Sequence, residues 1–101
     1  RDEALHGVRK AAKRLRYVAA ATGESAISAG AKTIQSLLGD HQDSVVSRTH
    51  LLGEADAAHA AGEDTFTYGV LYQQEEDLSQ RCLKQLGSAL KSLRRSVHKA
   101  L

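Results

Sequence analysis

Apolar residues recur along this chain at three- and four-residue spacings, in four stretches set apart by glycines. The first covers about residues 2–21. Leu5, Val8, Ala11, Ala12, Leu15, Val18 and Ala19 form its stripe, and Asp2 and Glu3 sit at the positive N-terminal end, where acids are favourable. Gly23 then supplies the left-handed residue that commonly closes a helix. The second stretch, about 25–38, carries Ala26, Ile27, Ala31, Ile34, Leu37 and Leu38; Gly30 weakens its middle and Gly39 is read as its end. The third, about 40–61, opens at Asp40 as an N-cap, with Asp43 three residues on in the logic of a capping box. It carries Val45, Val46, Leu51, Leu52, Ala55 and Ala58 and stops near Gly62. The fourth, about 65–99, is capped by Asp64 or Thr65 and holds Val70, Leu71, Leu78, Cys82, Leu83, Leu86, Leu90, Leu93 and Val97. No sustained alternation of apolar and polar residues suggests a strand. These elements predict an all-α fold, an antiparallel four-helix bundle with short connections, as one domain over residues 1–101.

The polar side of the first stretch changes the picture. At about 100° per residue, His6, Arg9, Lys10, Lys13, Arg16 and Tyr17 fall within an arc of roughly 120°, with Arg14 on its shoulder. From His6 to Arg16 the row runs about 15 Å at roughly 1.5 Å per residue, which suits an extended anion better than a single small one. A solvated helix face ordinarily intersperses acids with its cations, because pairs four residues apart then stabilise the helix. Here no acid lies between Glu3 and Glu24, and the like charges at Arg9/Lys13 and Lys10/Arg14 repel. The pattern therefore points to an anion site.

Net charge adds little, since 14 Lys and Arg stand against 12 Asp and Glu for a formal +2. Its distribution matters more. Residues 81–101 carry Arg81, Lys84, Lys91, Arg94, Arg95 and Lys99 and no acid, while acids gather at 40–77. Arg81, Lys84, Lys91 and Arg95 make a second candidate anion surface, although C-terminal cations also suit the helix dipole. Cys82, the chain's one cysteine, excludes an internal disulfide, falls on the apolar stripe, and suggests a reducing, cytoplasmic setting. No apolar run is long enough for a membrane span. The absence of methionine and the start in mid-pattern at Arg1 suggest a segment of something longer.

Two blocks together, His6-x-x-Arg9-Lys10-x-x-Lys13-Arg14-x-Arg16-Tyr17 and Leu37-Leu38-Gly39-Asp40-His41-Gln42-Asp43-x-Val45-Val46, resemble the CHAD family, the conserved histidine α-helical domain. The Gly69-x-Leu71 segment looks like the family pattern too. The resemblance implies one four-helix repeat, similar to the C-terminal half of a two-repeat domain. It implies non-enzymatic binding of inorganic polyphosphate through His6, Arg9, Lys10, Lys13, Arg14, Arg16 and Tyr17, with no cofactor and no catalytic residue. A second repeat or second copy would complete the surface, a CYTH-type domain is the expected neighbour in a longer chain, and cytoplasmic polyphosphate granules the expected place. Gly7 departs from the larger or charged residue the family often has there.

Alternative readings use the same residues. Nucleic acid would suit the cationic row, but one tyrosine offers no aromatic interleaving for base stacking. An acidic protein could dock on it. A phosphate-cleaving enzyme would want clustered carboxylates holding a metal, whereas the acids here are spread out. Asp40, His41 and Asp43 suit capping better than metal binding, and Asp43 is placed to orient Arg9 or Lys13. His50 and His59 are expected at the surface.

Overall fold

The computed structural model describes residues 2–101, which form three α-helices: α1 (Asp2–Ala21), α2 (Ser25–Ala60) and α3 (Phe66–Ala100). The first and last match the predicted elements closely. The predicted second and third are one helix, so the four-helix bundle is corrected to a three-helix array.

The two turns follow from glycine. Gly23 takes φ 79° and Gly62 φ 76°, both in the left-handed region. At the first, the Glu24 N–H donates to the Ala19 carbonyl at 2.8 Å and the Gly23 N–H to Ala20 at 3.3 Å. At the second, the Glu63 N–H donates to Ala58 at 2.9 Å and the Gly62 N–H to His59 at 3.0 Å. Both are Schellman closures, which satisfy carbonyls that a helix end leaves open. Thr65 is the N-cap of α3 without a side-chain bond of its own, and Asp64 just before it satisfies the first free donor, its Oδ1 accepting from the Phe66 N–H at 3.0 Å.

Gly39 does not turn the chain, because its φ is not positive and α2 runs through it. Ile27, Ala31, Ile34, Leu38, His41 and Ser44 are all buried on one continuous stripe. Packing on both sides of Gly39 outweighs the roughly 1 kcal/mol that a helical glycine costs relative to alanine. Asp40 and Asp43 are mid-helix residues and cap nothing.

At 36 residues, α2 is about 54 Å long and sets the shape of the molecule, 62 × 20 × 19 Å. Both α1 and α3 pack along it. The core lies where all three helices overlap: Ala12 of α1, Ile34 and Leu38 of α2 and Leu86 of α3, flanked by Leu5, Val8, Leu83, Ala89 and Leu93. Helices α2 and α3 come close at Gly30, where a Cβ would stand 3.1 Å from Leu93 Cδ1. Near the N-terminal end of α1, small buried serines tie α2 to α3. Ser44 Oγ donates to the Glu75 carbonyl at 2.6 Å, and Arg48 Nη2 to Ser79 Oγ at 3.4 Å. This distal hairpin leaves Val46, Leu52, Phe66, Val70, Leu71 and Leu78 exposed. On α1, Val18 is likewise exposed, at the edge of its apolar stripe. No described helix is long and apolar enough to cross a membrane.

Candidate anion-binding surface

Helix α1 turns Ala12 and Ala19 inward and so presents its cations outward. His6, Arg9, Lys10, Lys13, Arg14 and Tyr17 are exposed and Arg16 is half-buried. The row does not behave as one face, however. Arg9 and Arg16 are two turns apart and differ by only about 20° around the axis, on the side next to α2; Lys10 and Arg14 stand about 100° or more farther round, on the crest.

Arg16 is held at the seam. Its Nη1 donates to Gln35 Oε1 at 3.2 Å, and its carbonyl accepts from Ser28 Oγ at 3.2 Å. Its Cζ lies 5.6 Å from the centre of the Tyr17 ring, within cation–π range. Most of its five donors remain available, as an anion site requires. Arg9 lies against bare backbone: a Cβ at Gly39 would stand 3.6 Å from its Nη2. Between the two arginines runs a trough of about 310 Å³, lined by Arg9, Arg16, Lys32, Gln35, Ser36, Gly39, Asp40 and Asp43. A smaller recess of about 40 Å³ joins His6 and Arg9 to Asp2, Leu5, Leu38, His41 and Gln42.

Lys32 and Gln35 carry no signal of their own in the sequence pattern. Their place depends on register. A three-residue turn centred on Gly23 sets Arg16 beside Lys32 and Gln35, and Arg9 beside Gly39. That pairing can be derived once the turn is fixed, but no local pattern around Lys32 announces it. Arg48, half-buried between α2 and α3, was missed for the same reason.

Asp43 shares the trough with Arg9 yet forms no ion pair with Arg9 or Lys13; His50 Nε2 lies 3.7 Å from Glu54 Oε1, on the exposed side of α2. His41 is buried and lines a different groove from Asp40 and Asp43, with Arg48, Tyr72 and Ser79. Among the described residues, no three His, Cys, Asp or Glu side chains are placed to hold a metal. His59 is exposed, as expected.

Arg81, Lys84, Lys91 and Arg95 are exposed, opposite the face of α3 that buries Ser79, Cys82 and Leu86. They point away from α2 and do not join the trough. Cys82 is buried, as its place on the apolar stripe implied. Its thiol is pushed up from its ordinary value by burial first and by the Asp40 carboxylate second, with Arg81 pulling the other way.

The CHAD domain model matches residues 1–52, which takes in the cationic row and the Leu37–Val46 block. The chain belongs to the CHAD family. Helix α3, with its Gly69-x-Leu71 segment, lies outside the matched span. Two uncharacterised proteins of Mycobacterium tuberculosis, from two strains, are each 67% identical to this CHAD chain over 100 residues, or 99% of its length. The chain spans about a fifth (20%) of the length of these relatives. No solved structure matches it significantly.

Proposed function

We propose that this CHAD chain binds inorganic polyphosphate along the cationic side of α1, as a non-enzymatic module. The observation that carries the reading is the row from His6 to Arg16, with no acid between its cations, on a chain of this family. Polyphosphate is a linear chain of tetrahedral phosphates with roughly one charge per unit. It needs many donors at repeated spacing and no shaped pocket. Arg9 and Arg16 offer bidentate forks, and Lys10 and Lys13 act as point charges. His6 adds a ring N–H donor at the start of the row. Arg14 reaches round from the shoulder and Tyr17 donates its hydroxyl. Arg81, Lys84, Lys91 and Arg95 form a separate, secondary surface.

The same reading treats the chain as one repeat of a two-repeat domain. A second repeat or a second copy completes the binding surface, a CYTH-type domain adjoins it in a longer chain, and the whole works in the cytoplasm, at polyphosphate granules.

The test is titration with polyphosphate of graded length, comparing the wild type with an Arg9→Ala/Lys13→Ala/Arg16→Ala variant. Affinity should rise with length and fall steeply with salt, through counterion release. It should collapse in the variant while helicity persists. Equal affinity for both proteins refutes the reading. In competition, polyphosphate should displace DNA or RNA far more readily than the reverse; the opposite order would favour nucleic acid.

A further inference from the structure

Building on the polyphosphate reading, we infer that the bound polyanion lies in the trough between α1 and α2 rather than along the crest of α1, that Lys32 of α2 is a full contact, and that Asp40 and Asp43 close one end of the track. Three observations meet here. Arg9 and Arg16, two turns apart, both face the trough, whereas Lys10 and Arg14 do not share their side of the helix. Lys32 supplies a cation from the opposite wall, so the trough is positive on both sides near Arg16. At that end, where Arg16 and Lys32 line the concavity with no acid among the adjoining residues, one sign of charge concentrates the field more than a convex helix crest does.

The acids give the trough a direction. Asp40 and Asp43 line it at the Arg9 end, and neither is neutralised by an ion pair with a helix-one cation. At the other end the trough continues past Arg16 and Lys32 into a recess of about 470 Å³ lined by Ala20, Gly23, Ser25, Ser28 and Ala29, with no acid among its lining residues. The charge lining the trough therefore grades from wholly cationic beside Arg16 and Lys32 to mixed beside Arg9, Asp40 and Asp43. A polyanion seated in it is repelled at the Asp43 end and leaves over the Gly23 turn, away from the distal hairpin.

The experiment uses the full chain and sodium polyphosphate of one long length as probe, with affinity measured over a series of salt concentrations. Lys32→Gln should weaken binding on the order of three- to tenfold at low salt, lower the log–log salt slope by about 0.7, the single-strand value per neutralised phosphate, and cost more than Lys10→Gln. Asp40→Asn/Asp43→Asn should tighten binding by a similar factor. All these substitutions sit on exposed positions, and circular dichroism checks that helicity is kept. If Lys32→Gln binds like the wild type, or Lys10→Gln costs more, the trough is overturned. If the paired Asn variant binds no tighter, the closed end is overturned. Failure of the wild type itself to bind polyphosphate sinks the functional reading, whereas an intact wild type with unresponsive variants sinks this placement alone.

Discussion

Replacing Gly39 with alanine distinguishes a continuous α2 from a turn between two helices, because the two predict opposite signs. In a continuous helix, alanine is favoured over glycine by about 0.8–1.0 kcal/mol at an interior position. The new Cβ would sit 3.6 Å from Arg9 Nη2 and 4.0 Å from its Cζ, which is ordinary van der Waals contact, so little of that gain is lost to strain. A net stabilisation of about 0.5–1 kcal/mol should raise the melting temperature by roughly 3–7 °C in a domain of this size. Gly23 provides the internal reference. It holds φ 79°, and alanine there should cost about 1–2 kcal/mol, a fall of roughly 5–10 °C. Thermal and urea unfolding followed by circular dichroism would measure both, with the urea slope reporting whether the denatured state has changed. If Gly39→Ala is destabilising to the same extent as Gly23→Ala, α2 is broken at residue 39 and the three-helix description is wrong.

Other expectations follow from packing and burial. Ile34 is 1% exposed at the meeting of the three helices, and Ile34→Ala should cost about 2–5 kcal/mol, read from the urea midpoint; a loss below about 1 kcal/mol would mean that the core lies elsewhere. The raised Cys82 thiol means that the native state keeps its proton to higher pH than the unfolded chain does. Its contribution to stability is full below the ordinary thiol value of about 9.0 and declines as pH rises from there through the raised value. Alkylation at mildly alkaline pH should accordingly be much slower in the native chain than in urea, and equal rates would contradict that burial.

Much of this fold can be read from the chain, and its one large misreading is instructive. The ends of α1 and the turn before α3 are marked by Gly23 and Gly62, each following the last residues of an apolar stripe. Gly39 carries the same signal, followed by Asp40 and Asp43 in the guise of a capping box, yet it is helical. Composition at a glycine does not reveal the sign of φ. The stronger clue is the stripe Ile27, Ala31, Ile34, Leu38, His41, which keeps its phase through residue 39; a real turn would reset it. The cations of α1 are visible from periodicity because they share one helix. Lys32 is not, because its neighbours belong to another helix and are set by register. His41 illustrates the same limit: its neighbours in sequence are acids of the trough, but its burial puts it on the other side of α2.

The unbroken α2 has one further consequence. Lys32 and Gln35 border the trough near one end of it, and the exposed Val46 and Leu52 lie on the same rod, the latter about 25–30 Å farther along. With a turn at Gly39, those two regions would belong to separate helices free to change their angle. As a single helix, α2 is a ruler: a body seated on the distal hairpin would be held at a set distance and bearing from the polyanion proposed for the trough.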